Sequence, residues 1–252
     1  LEFRRVLFRS AGEESFMVDC GSGAMHRLYE AGARPSDINH MFITHLHMDH
    51  YIDLGHFIMM RWIHRSDEPL HLYGSQGLQR MVDLLLEMHG PDVELRQITR
   101  SLPRPAPNVI VHEISEGPIL ETPNGVKVSA FRVEHYPLDE PFGFRFDTKN
   151  KSIAFSGDTC PSENLIKHTH KVDVLVHEST EYTKWDAPDV DHSHKVKTHT
   201  HPEKLGFVAQ DVEPGLLIAT HLMPRSVPWE LREMISEGYK GSLLIGEDLM
   251  TA

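Results

Sequence analysis

The chain has 252 residues, 40% of them hydrophobic and 25% charged, a balance suited to a globular domain that buries a substantial core. Its formal net charge is −12, with 37 Asp and Glu against 25 Lys and Arg, which argues against a protein that grips a long polyphosphate over a basic surface. Cys20 and Cys160 are too few and too separated for a disulfide framework or a thiolate zinc site. No apolar run approaches the roughly 20 residues of a membrane span, and no secretory leader is visible, so a cytoplasmic location without membrane contact is the expectation.

Taken in chain order, residues 1–10 (Leu-Glu-Phe-Arg-Arg-Val-Leu-Phe-Arg-Ser) show no strand alternation and no relation to the residues after them. Arg5–Ser10 matches the translation of a common sequencing-adapter end, so 1–10 is expected to be non-native and 11–252 to form one domain. Phe16–Asp19 reads as a strand, Met25–Ala31 as a helix, and Met41–Thr44 as a buried strand. Helical patterns come next at Tyr51–Ile63 and Gly77–Met88. In the latter, Leu78, Met81, Val82, Leu85 and Met88 share a face that is core packing, and Gly90-Pro91 stops the helix. Residues 100–108, rich in Pro and Arg, read as a surface connection between two halves. Strands at Val126–Val133, Ser152–Ser156 and Leu216–Thr220 and a helix at Pro202–Gln210 complete the alternation.

His45-Leu46-His47-Met48-Asp49-His50 comes directly after the strand Met41–Thr44 and supplies four side chains of the types that hold hydrolytic metals. His45 and His47, two residues apart in an extended loop, can converge on one cation. Asp49 and His50 project toward a second position about 3.5–4 Å away, the usual separation in two-metal hydrolases. Imidazole and carboxylate without thiolate suit zinc, and also manganese or iron. Further candidates stand at the ends of later strands: His135 after Val126–Val133, Asp158 after Ser152–Ser156, and His221 after Leu216–Thr220. In open α/β sheets that end of the strands is where binding crevices form. Gly157 would let the backbone come close to the metals, and Cys160 reads as a small buried residue beside them.

These segments, with Val18-Asp19-Cys20-Gly21-Ser22-Gly23, Phe142-Gly143-Phe144-Arg145-Phe146, Ser156-Gly157-Asp158-Thr159 and His177-Glu178-Ser179-Thr180, resemble the metallo-β-lactamase superfamily of dinuclear metallohydrolases, in its ribonuclease Z and arylsulfatase-like branch. The resemblance runs from about Glu14 to Ala252. It implies an α/β, four-layer αββα sandwich for the hydrolase domain, lacking its first N-terminal hairpin if 1–10 is foreign. A strand at Phe16 would then expose an unpaired edge. It also implies two divalent metal ions, zinc foremost. His45, His47 and His135 would hold the first, Asp49, His50 and His221 the second, and Asp158 would bridge them. His199-Thr200-His201-Pro202-Glu203 resembles the His-Ser-Thr-Pro-Glu segment of the ribonuclease Z branch. That nominates His199 as the general acid, with His201, which replaces a hydroxyl residue, as the rival. Asp49 would also orient the attacking water.

The expected substrate is a small phosphodiester, sulfate ester or related ester. Arg61 with Arg65 and Lys195 with Lys197 read as solvated charges, not as a nucleic-acid groove, and no Gly- and Lys-rich insertion resembles a tRNA-clamping arm. His221-Leu222-Met223-Pro224 is closer to the arylsulfatase-like pattern. A tRNA 3′-processing endonuclease is the runner-up, and a truncated metal-binding fragment the second alternative. A di-iron redox protein would resemble a pattern with Glu where this chain has His47. A homodimer is compatible with all of these.

Overall fold

A computed structural model describes residues 7–11, 14–64, 68–99, 105–181, 193–224 and 226–251. Arg65, residues 100–104 of the expected surface connection, and residues 1–6 lie outside the described residues. The chain divides into two compact units, one ending at Ile114 and one beginning at Ser115.

The first unit is a five-stranded sheet in the order β1-β2-β3-β4-β5, formed by Leu7–Ala11, Glu14–Val18, His40–Phe42, Leu70–Gly74 and Val109–Glu113. Its β2 to β5 run parallel. β1 pairs antiparallel with β2, Leu7 opposite Val18. Leu7–Ser10, expected to show no strand pattern, therefore forms a hairpin with the next strand, and β2 is an inner strand. The extended backbone of β2 is a template that an adjacent segment can pair with whatever its side chains are.

Alternation along these strands sends Met17, Met41 and Leu72 to one face, where they pack with Leu54, Phe57 and Leu78. The residues between them, Phe16, His40, Phe42, His71, Tyr73 and His112, share the other face as a ladder of rings, tilted at Phe16 and stacked among the others. The helices are α1 (Ala24–Glu30), α2 (Met48–Tyr51), α3 (Leu54–Ile63) and α4 (Leu78–Thr99). The helix expected at Tyr51–Ile63 is split between α2 and α3 at Ile52-Asp53. The one expected to stop at Gly90-Pro91 runs on to Thr99. Pro91 forfeits one backbone bond, but buried Val82 before it and Val93 after it anchor both halves.

Arg61, read from sequence as a solvated charge, is buried at 4% exposure. Its Nη1 donates to the carbonyls of Pro35 and Ile38 at 3.0 and 2.6 Å, and its Nη2 to Asn39 Oδ1 and Glu68 O at 2.7 and 2.8 Å. The fork of donors closes the loops that enter β3 and β4. Burial lowers its pKa to about 10, so it stays cationic at neutral pH.

The second unit is a seven-stranded sheet in the order β12-β11-β10-β9-β8-β7-β6. In chain order β6 to β12 are Gly117–Glu121, Lys127–Arg132, Phe142–Asp147, Ser152–Phe155, Val174–Glu178, Leu216–Thr220 and Leu243–Ile245. β9 to β12 are parallel, while β8 is antiparallel to both β7 and β9. Thus β7, β9, β10 and β11 all point the same way and deliver their next residues to one edge. Helices α5 (Glu163–Thr169), α6 (Pro202–Val212) and α7 (Pro228–Gly238) cover a core of Phe131, Ala154, Leu175, Leu205, Leu217, Leu231 and Ile235. Gly206 and Gly238 let α6 and α7 approach closely, since a Cβ on Gly206 would lie 2.3 Å from the Ile235 carbonyl. Among the described residues no helix is long and apolar enough to cross a membrane.

His40 makes the fold sensitive to acid. Burial, then the neighbouring charges of His71, His112 and Arg61, depress its pKa to about 4, against about 6.5 in an unfolded chain. The unfolded state therefore takes up the proton first, and the stability contributed by neutral His40 is complete above pH 6.5 and lost as pH falls toward 4. Urea midpoints should drop across that window. His40→Phe, which keeps a ring in the ladder, should make the drop shallower; an unchanged slope would show that His40 does not carry it.

Candidate metal centre

Within the first unit, the loop leaving β3 gathers its histidines around one buried carboxylate. Asp19, at 4% exposure, accepts from the Thr44 backbone N–H at 2.8 Å, the Thr44 hydroxyl at 3.0 Å and His50 Nδ1 at 2.7 Å. An ionised carboxylate has no proton to give, so the Nδ1 of His50 carries the hydrogen and its Nε2 keeps a lone pair. Thr44 has spent its one proton on Asp19, so at 3.1 Å it accepts from His45 Nδ1, which places that ring's lone pair on Nε2. His45 Nε2 lies 3.0 Å from His47 Nδ1, near the roughly 3.3 Å that separates two nitrogens bound to tetrahedral zinc at about 2.0–2.1 Å. His45 and His50 are 1% exposed, His47 is exposed, and Asp49, with a side chain 55% exposed, has Oδ2 3.8 Å from His50 Nε2.

The second unit repeats the device at the shared edge of its strands. His135, three residues beyond β7, sets Nδ1 2.6 Å from the carbonyl of Thr198. A carbonyl only accepts, so the hydrogen of His135 sits on Nδ1 and the lone pair on Nε2. Asp158 comes after β9 through Gly157, whose φ of +62° permits the turn. His221 leaves β11 with φ +58°, a left-handed conformation that costs a non-glycine residue about 1 kcal/mol. His221 Nε2 is 3.3 Å from Asp158 Oδ2. The ligand atoms of His135, Asp158 and His199 lie within 4.8 Å of one another, as do those of Glu178, His199 and His221. Of the sequence candidates, His45, His47, His50 and Asp49 therefore come together in one unit, and His135, Asp158, His199 and His221 in the other. His201 is in none of these groups; its Nδ1 sits 4.0 Å from Glu203, and burial lowers its pKa.

Glu178, the last residue of β10, was not foreseen as functional. At 1% exposure it accepts at Oε1 from the Thr159 and Thr200 amides, at 3.2 and 3.1 Å, and from His199 Nδ1 at 3.0 Å. Its Oε2 accepts from the Thr180 hydroxyl at 3.2 Å, and Thr180 in turn faces His221 Nδ1 at 2.9 Å. One carboxylate thus fixes the tautomers of both His199 and His221. Burial raises its pKa, and the bond to His199 opposes that rise. Asp19 and Thr44 were missed likewise. The signal for Asp19 and Glu178 was the one that revealed the ligands, a charged residue where an apolar strand ends. Cys20 is fully buried and Cys160 half-buried, and burial raises both thiol pKa values, so neither offers a thiolate.

Donors of this kind fit divalent cations: imidazoles oriented through Nδ1, carboxylates beside them, and no thiolate. The model of the family described as Anti-Pycsar protein Apyc1 matches residues 3–206. The chain belongs to that family. A ribonuclease Z from Mycobacterium sp. (strain KMS) is 29% identical over 245 residues, spanning 95% of this chain and 86% of the relative. Among solved structures, the metallo-β-lactamase fold protein YhfI from Bacillus subtilis matches with a TM-score of 0.73 at 19% identity, over 96% of this chain and 88% of its own. The short form of human tRNase Z matches with a TM-score of 0.72 at 22% identity, over 97% and 90%. The fold is accordingly the αββα sandwich of the metallo-β-lactamase superfamily. With its overlapping His and Asp ligand groups, this Apyc1-family chain is a metal-dependent hydrolase with a dinuclear divalent-metal site.

Asp19 should act on the metal through His50. Loss of such an outer partner typically costs about 10- to 100-fold in metal affinity, so Asp19→Ala should weaken zinc binding by that order in competition with a chromophoric chelator. Asp19→Asn, which keeps an acceptor oxygen for His50, should lose less. Wild-type affinity in Asp19→Ala would mean that His50 Nε2 takes no metal.

Proposed function

We propose that this chain hydrolyses a small phosphodiester, with His45, His47 and His135 holding one divalent ion, Asp49, His50 and His221 the second, and Asp158 bridging. Zinc suits the imidazole-rich donor set best. When bound, the ions would supply Lewis acidity and make water at the site more acidic. Asp49, the most exposed carboxylate of the set, accepts a hydrogen bond from the attacking water and orients it. His199 gives its proton to the leaving oxygen, and Glu178 steadies the imidazolium before that transfer. The observation that carries the reading is the His199–Glu178 bond at 3.0 Å beside Asp158. It supports His199 over His201 as the acid, because His199 belongs to the ligand groups and His201 lies outside them.

Phosphodiester chemistry draws support from the curated relatives, whose name, ribonuclease Z, describes cleavage of RNA. The same name favours a second reading, tRNA 3′ processing. A net charge of −12 weighs against that substrate, which presents many phosphates at once. Sulfate esters share the tetrahedral anionic centre and form the third arm of the test.

Zinc-loaded protein is offered bis(p-nitrophenyl) phosphate, p-nitrophenyl sulfate and a tRNA precursor, with metal content measured in parallel. The expected outcome is about two metals per chain and turnover of the phosphodiester above the other two. His199→Ala should keep its metals and lose about 10²–10⁴-fold in kcat on esters with poor leaving groups, and much less on p-nitrophenyl esters, which need little protonation. Preferential cleavage of the tRNA precursor would overturn the small-substrate reading. Loss of metal in His199→Ala would make that residue a ligand and not the acid.

A further inference from the structure

Tyr136, the residue after His135, is 63% exposed. A single exposed aromatic is ordinary on a protein surface, but this one is held. Its backbone N–H donates to the carbonyl of Lys197 at 3.2 Å, and the turn beneath it is closed by Leu138 N–H to His135 O at 2.9 Å. The Lys197 ammonium stands 5.9 Å from the ring centroid, a cation–π contact that covers one face and orients the ring. Both residues belong to segments of the candidate centre. Tyr136 is one Cα–Cα step, about 3.8 Å, from His135, and Lys197 precedes Thr198, whose carbonyl accepts from His135 Nδ1 at 2.6 Å. The His135 ring in turn meets the His199 ring edge-on, centroids 5.1 Å apart.

We infer that Tyr136, oriented by Lys197, is a specificity subsite for a flat aromatic or heteroaromatic group on the non-leaving side of the phosphoester. The inference rests on the phosphoester reading above and adds what that reading lacks, a feature that tells one ester from another. A phosphorus centre held among His135, Asp158 and His199 carries a substituent that must leave the centre over an adjoining loop. The loop bearing Tyr136 offers it a π face, with the Lys197 ammonium 5.9 Å from the ring centroid. A pre-oriented ring loses little freedom when a second ring packs on it, so the contact gives affinity at small entropic cost. Stacking is also tolerant of the stacked group's edge chemistry, so the subsite selects flatness and not a particular hydrogen-bonding pattern.

Two substrates with the same leaving group separate this from catalysis: bis(p-nitrophenyl) phosphate and methyl p-nitrophenyl phosphate. Tyr136→Ala should raise KM about 10-fold on the diaryl ester, leave kcat unchanged, and leave the methyl ester unaffected. Tyr136→Phe should behave as wild type. A second arm does not depend on turnover: zinc-loaded protein is titrated calorimetrically with phenyl phosphate and with methyl phosphate. Wild type and Tyr136→Phe should prefer phenyl phosphate by about 10-fold, and Tyr136→Ala should bind both alike. If neither diester is cleaved but the binding preference tracks Tyr136, the phosphodiesterase reading fails and the subsite stands. Equal binding of the two phosphates by wild type, or a preference that survives in Tyr136→Ala, overturns the subsite.

Discussion

A histidine can hold a cation only through a nitrogen that bears no proton, and the structure depends on where those protons are parked. His50 donates its Nδ1–H to Asp19, His45 to Thr44, His135 to the Thr198 carbonyl and His221 to Thr180. On the proposed assignment Nε2 is in each case the nitrogen that a cation would use. The acceptors are buried, so their hydrogen bonds are stronger than on the surface and an unmet one would cost about 1–3 kcal/mol. The imidazoles are therefore held in orientation before any metal arrives. Asp19 and Glu178 are the roots of these two networks, one in each unit.

Parallel strands explain why so many of these groups stand at strand ends. In the second unit β9, β10 and β11 are in register, Ile153 beside Val174 beside Leu216. Each therefore releases its next residues at the same edge, and β7 reaches that edge by two antiparallel steps through β8. The interior of such strands can be almost wholly apolar because helices cover them, which leaves polar side chains to accumulate where the pairing stops. Asp19, Gly157 and His221 all carry positive φ there. The left-handed residues turn the chain back sharply enough for short loops to bring their side chains to the strand ends of their own unit, and the packed sheet sustains the local strain.

That logic sets what could be read from the sequence. Ligand candidates were legible because a metal demands particular side chains, and the strands that deliver them are apolar runs ending abruptly, as in Leu216–Thr220 before His221. The carboxylates behind the ligands were not, because their partners are far away in sequence: Asp19 meets His50 across 31 positions, and Glu178 meets His199 across 21. Nothing local marks either pairing. Arg61 was misjudged for the same reason, since its carbonyl partners lie in loops whose course depends on the folded sheet. Continuation of α4 through Pro91 shows the converse. A strong local stop signal lost to tertiary packing on both sides of it. The strand at Leu7–Ala11 is a third form of the limit, a pairing made by backbone where side-chain pattern predicted none.

Charge makes the same networks decide when the protein can bind its substrate. On the proposed assignment the centre and its outer partners contain four carboxylates, Asp19, Asp49, Asp158 and Glu178, among imidazoles held by hydrogen bonds in metal-ready tautomers. Without cations that collection would repel a phosphodiester, and the chain's formal net charge of −12 would reinforce the repulsion weakly. Two divalent ions cancel four negative charges. Surface carboxylates farther off than the Debye length of about 8 Å are largely screened and matter little to an anion already in contact. An acidic protein can therefore receive an anionic ester, but only at a site that metal has already neutralised. An aromatic platform beside such a site has an advantage over another lysine. Its π face adds affinity for flat substituents, which a lysine alone would not distinguish, and so lets shape select among esters once the metals have supplied the charge.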